Sequence, residues 1–219
     1  MKVTTDSCLF GAWVANHTRN LGAEKSILDI GSGSGLLGLM IAQQTEALIE
    51  GIEIQQDDYG QSIYNIANSP FANRITVHQA DALEFRYNKK YDVIVSNPPF
   101  YENDLKGNTT GKNIAHHDEG LRLPELLHLV ARQLAVDGVF FLLLPQKRLA
   151  DLQQLIGNSG LFINEIASVH QTQNHDAFRI MLRGSFHESK PEVYKIVIKE
   201  GTGYSAAFTR LLQDYYLYL

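Results

Sequence analysis

Four short motifs carry side chains suited to ligand binding and group transfer, and each follows a predicted buried strand. The first is a glycine loop, Gly31, Gly33 and Gly35, which comes directly after Asp29. Alternating glycines let the chain turn sharply and let a bulky ligand lie against the backbone. The stretch that starts at Gly33 also fits G-x-G-x-x-G. The loop alone therefore indicates an adenosine-containing cofactor, either a nicotinamide dinucleotide or S-adenosylmethionine.

Acidic residues at two later strand ends suit the same kind of ligand. Glu53 ends the second predicted strand, where its carboxylate can accept hydrogen bonds from both hydroxyl groups of a ribose. Asp81 and Ala82 follow the third predicted strand, where the aspartate can accept from an adenine amino group. The structural alternatives are a solvated acid at Glu53 and an ordinary turn or cap residue at Asp81.

The fourth motif, Asn97-Pro98-Pro99-Phe100, indicates the reaction. Two prolines stiffen the segment, so the Asn97 amide oxygen and the Pro98 carbonyl oxygen can both accept from one –NH₂ group. Phe100 offers a ring on which a planar acceptor can stack. This arrangement suits methylation of a planar, weakly nucleophilic nitrogen, whereas hydride transfer has no use for it. A strand-ending Pro-Pro turn is the structural alternative.

Alternating strands and helices must position these motifs. Short apolar runs alternate with helix-period stretches, which is typical of βαβ units around a parallel sheet. We predict an α/β fold with a Rossmann-like, doubly wound, mostly parallel seven-stranded sheet and antiparallel strands near the C terminus. The runs 178–183 and 193–199 are close enough in sequence to form an antiparallel pair. Ligands bind such sheets beyond the carboxyl ends of the strands.

Composition limits the class of protein. The 219 residues include 19 Lys and Arg against 24 Asp and Glu, a net charge of −5, which argues against non-specific attraction to phosphate. A local basic patch on an acidic protein can still hold RNA, so charge alone leaves the substrate open. No apolar run approaches the roughly 20 residues of a membrane helix, and the N terminus lacks a signal-peptide pattern. The single cysteine, Cys8, cannot form an internal disulfide. We expect one soluble, cytoplasmic domain over residues 1–219, with a hairpin and a helix from about residue 187.

In order and spacing, the four motifs resemble those of the class I S-adenosylmethionine-dependent amino-methyltransferases. Three further stretches, 1–6, 113–117 and the tyrosine-rich tail 204–219, are similar to one subgroup. That subgroup is the bacterial enzymes that methylate the exocyclic amine of adenosine 37 in the first valine tRNA. Its members usually carry a further segment before the first stretch, so we expect this chain to start short of its relatives. Several relatives have tyrosine at the position of Phe100, and phenylalanine is common in guanine-amine relatives.

The resemblance implies two sets of site residues. One set holds S-adenosylmethionine and comprises Asp29, Gly31, Gly33, Gly35, Glu53, Asp81 and Ala82. The other set, Asn97, Pro98 and Phe100, holds the amine of a base that has been turned out of its stack. The implied transfer is an in-line displacement that requires neither a general base nor a metal.

Five further residues are expected on the substrate side: Pro99, His116, His117, Arg179 and Arg183. The two histidines lie in a long polar loop and lack the cysteine or spaced carboxylate partners of a metal site. We expect them to close over the base or to touch phosphate. The two arginines are four residues apart on one strand face, which suits phosphate contact, and a solvated face is the alternative. The resemblance implies a valine tRNA as the partner.

Other functions share parts of this pattern. Methyltransferases of the same fold act on guanine or adenine in ribosomal RNA or DNA, or on protein glutamine, because each acceptor is a planar –NH₂ group. DNA enzymes usually need an added recognition domain, for which this chain has no room. A nicotinamide-dependent oxidoreductase is supported by the glycine loop alone. A non-catalytic fold that binds cofactor or RNA is the third class, and any measured turnover would exclude it.

Overall fold

A computed structural model describes residues 3–98 and 121–219. The helices in these ranges are α1 (Thr5–Thr18), α2 (Leu36–Ala42), α3 (Gln56–Ala67), α4 (Leu123–Gln133), α5 (Leu149–Ile156) and α6 (Ala206–Leu212). The strands are β1 (Ser26–Ile30), β2 (Leu48–Glu53), β3 (Ile75–Gln79), β4 (Tyr91–Ser96), β5 (Leu134–Pro145), β6 (Phe162–His170), β7 (Ala177–Ser185), β8 (Glu192–Val197), β9 (Lys199–Glu200) and β10 (Gly203–Tyr204).

The main sheet has the strand order β3-β2-β1-β4-β5-β7-β6-β8. Neighbours from β3 to β5 run parallel, and β7 runs antiparallel to both β5 and β6. This confirms the predicted α/β class with its mostly parallel sheet. The strand order reverses at β1, which pairs with β2 on one side and with β4 on the other. Such a switch point is where doubly wound sheets bind their ligands.

Two details of the predicted sheet differ from the structure. Within residues 3–98 and 121–219, the main sheet has eight strands, whereas seven were predicted. The strands β7 and β8 do not pair with each other, because β7 lies between β5 and β6 and β8 joins β6 in parallel. Burial explains the difference. Three consecutive residues of β7, Ile180, Met181 and Leu182, are buried and require a central strand, whereas Val193 of β8 is 67% exposed and fits an edge.

Apolar layers cover both faces of the sheet. On one face α1, α2 and α6 pack with Phe141 and Met181, and on the other α4 and α5 pack with Phe140 and Leu182. The sequence analysis did not predict α1. Every residue from Cys8 to Ala15 is buried, so this helix lacks the one-sided apolar pattern by which helices are recognised.

Candidate active site

The glycine loop has a backbone that only glycine adopts without strain. Gly31, Gly33 and Gly35 have φ values of 73°, 54° and 79°. Among the described residues, a Cβ added to Gly31 would meet no atom within 4 Å. The amides of Gly31 and Ser32 donate to the carbonyl of Ile52 at 2.9 and 3.0 Å. The loop is thereby fixed to the carboxyl end of β2, and the described residues leave space beside Gly31.

Glu53 joins the end of β2 to the same loop. Its side chain is 5% exposed, its Oε2 accepts from the Gly33 amide at 2.7 Å, and its Oε1 accepts from the Gln55 amide at 2.8 Å. The sequence analysis assigned Glu53 to a ribose and missed this internal contact. Each carboxylate oxygen has a second lone pair, so both oxygens can still accept from an incoming hydroxyl group.

Asp29 has a buried carboxyl group whose needs are not met within the described part of the chain. The residue is 1% exposed, and neither carboxyl oxygen has a hydrogen-bond partner. Burial and the neighbouring Glu53 carboxylate raise the pKa of Asp29 to about 7. The Gly38 amide lies near enough to offset a smaller part of this rise, without the geometry of a full hydrogen bond. A buried carboxylate without a partner is costly. The site therefore fits a ligand that brings a cationic donor, such as the ammonium group of an amino acid.

Asp81 and Ala82 lie in a turn beside the end of β2. The Ala80 amide donates to the Glu53 carbonyl at 3.0 Å, which ties this turn to β2. Asp81 Oδ1 accepts from the Leu83 amide at 2.8 Å, and the Ala82 carbonyl accepts from the Tyr87 hydroxyl at 2.9 Å. Asp81 thus stabilises a turn through Oδ1, which is the structural alternative named in the sequence analysis.

Asn97 and Pro98 follow β4, the strand next to β1. Ser96 Oγ donates to the Ile30 carbonyl at 2.8 Å, which fixes the end of β4 against the end of β1. Asn97 is half-buried, and its Nδ2 donates to Ser7 Oγ at 2.9 Å; Pro98 is buried. The sequence analysis missed Ser7. Nothing in its spacing could have revealed a contact between residues 90 positions apart.

The structure separates the two arginines that were predicted to touch phosphate. Arg179 pairs with Pro145 at the carboxyl end of β5, and its Nε donates to Asp6 Oδ2 at 2.8 Å. Arg183 pairs with Phe141, four residues further along the strand, which is roughly 13 Å from Arg179. Arg179 therefore lies at the edge that carries the motifs, and Arg183 lies in the middle of the sheet.

The remaining predicted site residues, Pro99, Phe100, His116 and His117, lie outside the described residues. Across residues 3–98 and 121–219 there is no group of three or more His, Cys, Asp or Glu side chains that could hold a metal ion. In the same ranges no helix combines the length and apolar character needed to cross a membrane.

Comparison with known proteins places these features in a family. The model of the methyltransferase small domain matches residues 12–137. The chain is 35% identical to the tRNA1(Val) (adenine(37)-N6)-methyltransferase of Dyadobacter fermentans, over 99% of this chain and 91% of that protein. It is 36% identical to the protein of the same name from Pseudoalteromonas translucida, over 99% and 92% of the two chains. For the one from Parabacteroides distasonis, identity is 37% over 99% and 91%.

Solved structures with the same fold are more distant in sequence. A predicted O-methyltransferase from Agrobacterium tumefaciens superposes with a TM-score of 0.63 at 17% identity, covering 94% of this chain and 95% of that one. The glycopeptide N-methyltransferase MtfA, complexed with S-adenosyl-L-methionine, gives a TM-score of 0.60 at 12% identity, over 83% and 87% of the two chains. These two show the fold, and the near full-length relatives confirm the resemblance drawn from the motifs. The chain belongs to the methyltransferase small domain family and, within it, to the tRNA1(Val) (adenine(37)-N6)-methyltransferases.

Proposed function

We propose that this protein transfers a methyl group from S-adenosylmethionine to the exocyclic amine of adenosine 37 in tRNA1(Val). The names and near full-length similarity of the relatives support this substrate. One structural observation carries the chemistry. The adjacent strands β1 and β4 end side by side, so the Asp29 carboxyl and the glycine loop lie next to Asn97 and Pro98.

The cofactor site is assigned to the ends of β1, β2 and β3. When bound, S-adenosylmethionine supplies an electrophilic methyl group on a sulfonium. The unpartnered Asp29 carboxyl accepts from the ammonium group of its methionine end, which meets the need left by burial. The open side of the glycine loop leaves room for this end. Glu53 would accept from the ribose through its remaining lone pairs, and Asp81 and Ala82 would contact the adenine.

The acceptor site is assigned to the end of β4. Asn97 Oδ1 and the Pro98 carbonyl oxygen would each accept a hydrogen bond from one N–H of the target amine. These two bonds would turn the nitrogen lone pair away from the ring and towards the methyl group. The base must leave its stack to reach this position, and Phe100 is the ring on which it would stack. Transfer would break the bond between the sulfonium sulfur and its methyl group, release the neutral thioether S-adenosylhomocysteine and leave a positive charge on the nitrogen, whose proton water could then take. The rate gain comes from alignment.

Residues around the acceptor site complete the proposal. Arg179 lies at the correct edge to meet an RNA phosphate, in competition with Asp6. Pro99, His116 and His117 keep the substrate-side roles expected from the sequence, whereas Arg183, four residues away from Arg179 in the middle of the sheet, is not assigned to the RNA. The cytoplasm, where tRNA is made and used, is the compartment that this substrate implies.

Transfer of labelled methyl to defined RNA tests the proposal. The substrate is an unmodified tRNA1(Val) transcript, and the matched control is the same transcript with guanosine at position 37. We expect label on the first transcript alone, recovered as N6-methyladenosine after nucleoside analysis. Label on ribosomal RNA, DNA or a glutamine peptide instead would move the acceptor to that class. Binding of S-adenosylmethionine without transfer to any of them would leave a non-catalytic fold.

A further inference from the structure

A chain of polar contacts runs from β7, through the first turn of α1, to Asn97. Arg179 Nε donates to Asp6 Oδ2 at 2.8 Å, and the Thr4 hydroxyl hydrogen-bonds the same carboxyl group. Thr4 Oγ1 and Ser7 Oγ are 2.8 Å apart, and Asn97 Nδ2 lies 2.9 Å from Ser7 Oγ. The start of α1 thus connects an ion pair at the sheet edge to the amide that is proposed to hold the target amine.

The ion pair between Arg179 and Asp6 determines which group is the donor in each hydrogen bond of this chain of contacts. Burial raises the pKa of Asp6, but the hydrogen bonds from Thr4 and Arg179 outweigh burial and hold the pKa below its usual value. Asp6 is therefore a carboxylate at neutral pH, and a carboxylate can only accept hydrogen bonds. Thr4 must then donate its single hydroxyl proton to Asp6.

The same reasoning assigns the donor and the acceptor in the two remaining hydrogen bonds, up to Asn97. Since the Thr4 proton is used, Thr4 Oγ1 must accept from the Ser7 hydroxyl. The Ser7 proton is then used as well, so Ser7 Oγ must accept from the amide nitrogen of Asn97. The reverse arrangement, with the Asn97 oxygen facing Ser7, would need the Ser7 proton for Asn97. It would also need the Thr4 proton for Ser7, and Asp6 would lose the Thr4 hydroxyl as a donor and keep only Arg179 and the Ser7 backbone amide.

A side-chain amide has an oxygen and a nitrogen of nearly equal shape, and rotation by 180° exchanges them. Only one of these two orientations lets Asn97 accept from an amine. We propose that Ser7 is a positioning residue that, with Thr4 and Asp6, fixes the Asn97 amide with its nitrogen towards α1 and its oxygen towards the target amine. This inference rests on the proposed function and adds to it the group that sets the orientation of the acceptor clamp.

The helix that carries Ser7 is firmly held. The Ser7 amide donates to Thr4 Oγ1 at 3.4 Å, which caps α1, and Leu9, Phe10 and Val14 just after it are 0% exposed. A positioning group acts only if its own place is fixed by packing and hydrogen bonds. The first turn of α1, up to Ser7, is itself exposed or half-buried, so its place is fixed by its hydrogen bonds and by the buried residues that follow it, and it contributes no group that reacts.

Replacement of the Ser7 hydroxyl tests the inference through catalysis. We expect Ser7→Ala to lower kcat for tRNA by about 10- to 100-fold, the usual range for a misaligned reacting group, with an unchanged dissociation constant for S-adenosylmethionine. Ser7→Thr restores the hydroxyl and should restore most of kcat. Ser159→Ala is the matched control, because Ser159 donates to the Ile156 carbonyl at 2.7 Å outside the site. Normal kcat in Ser7→Ala, or equal loss of kcat and cofactor binding, would overturn the inference.

An NMR signal separates failure of this inference from failure of the proposed function. The side-chain amide of Asn97 is assigned in ¹⁵N-labelled protein by its loss in Asn97→Asp. We expect its proton shifts to move in Ser7→Ala, to return towards wild type in Ser7→Thr and to stay in place in Ser159→Ala. If the wild type methylates no tRNA while these shifts follow Ser7, the proposed function fails and the orientation of the amide stands. If the Asn97 amide proton shifts do not change in Ser7→Ala, the inference is overturned, whatever the substrate is.

Discussion

The two halves of the proposed site are built in opposite ways. The cofactor side comprises Asp29, the glycine loop, Glu53 and the turn at Asp81. The acceptor side comprises Asn97, Pro98 and the first turn of α1. Contacts on the cofactor side join segments near in sequence, as between Gly33 and Glu53, 20 positions apart. Contacts on the acceptor side join distant segments, with 90 positions between Ser7 and Asn97.

The two sides also differ in what they leave for a ligand. On the cofactor side the buried Asp29 carboxyl has no partner in the described residues, so a ligand must supply one. On the acceptor side the amide nitrogen of Asn97 is already engaged by Ser7, which leaves the amide oxygen for a substrate. We infer from this difference that the buried Asp29 carboxyl contributes to cofactor affinity, because the ligand supplies its partner. The Asn97 amide contributes instead to the reaction rate, because it is oriented before the substrate binds.

The largest expected effect comes from removing the acceptor clamp. Asn97→Ala should lower kcat by about 100- to 1,000-fold, the usual loss when one aligned transition-state hydrogen bond is deleted. Binding of S-adenosylmethionine should survive, because the amide acts on the target amine. Single-turnover transfer and calorimetric titration of the cofactor measure the two effects separately. Equal loss in both would show that the two halves of the site are not distinct.

This contrast explains what could be predicted from the sequence. The glycine loop, Glu53 and Asp81 each sit at the end of a strand with a clear apolar pattern, so their convergence followed from the parallel sheet. The helix α1 and its Ser7 were missed because a helix buried on all sides has no amphipathic period. Similarly, the four-residue spacing of Arg179 and Arg183 did not reveal the register of β7 with β5, which places only Arg179 at the carboxyl edge of the sheet.

The next largest expected effect comes from removing the charge of the buried Asp29 carboxyl group. Asp29→Asn should weaken binding of S-adenosylmethionine by about 10- to 100-fold, since a charge-assisted hydrogen bond contributes about 1.5–3 kcal/mol. The turn of the glycine loop should remain, because it is held by Glu53 and by the Ile52 carbonyl. Titration calorimetry gives the affinity. An unchanged dissociation constant would remove Asp29 from the cofactor side.

The same substitution has an effect on stability with a definite sign. The pKa of Asp29 is raised to about 7 in the folded protein from 3.8, so the folded state binds the proton more tightly than the unfolded state. Without cofactor, wild-type stability should therefore fall relative to Asp29→Asn as pH rises from about 4 to 7. The difference is on the order of 4 kcal/mol at its limit. Urea unfolding of both proteins at a series of pH values measures it, and parallel curves would contradict the raised pKa.

A smaller effect separates the two roles of Asp81. Asp81→Asn keeps the oxygen that accepts from the Leu83 amide and replaces the other oxygen with a donor, whereas Asp81→Ala removes both. If Asp81 accepts from the adenine amino group, both variants should weaken S-adenosylmethionine binding by about 10-fold, the loss of one hydrogen bond to a charged group. Normal binding by Asp81→Asn, with a loss in Asp81→Ala, would leave Asp81 as a turn residue.

The smallest expected effect concerns RNA contact and uses the two arginines as a matched pair. Arg179 lies at the carboxyl edge beside Asp6, whereas Arg183 lies four residues along the same strand. Loss of one phosphate contact to a single strand lowers the dependence of log KM for tRNA on log salt by about 0.7. We expect this change for Arg179→Gln and none for Arg183→Gln, as measured by methyl transfer at several salt concentrations. Equal slopes for both variants would mean that the edge position of Arg179 plays no part in binding RNA, and the acceptor side would then comprise only Asn97, Pro98 and the first turn of α1.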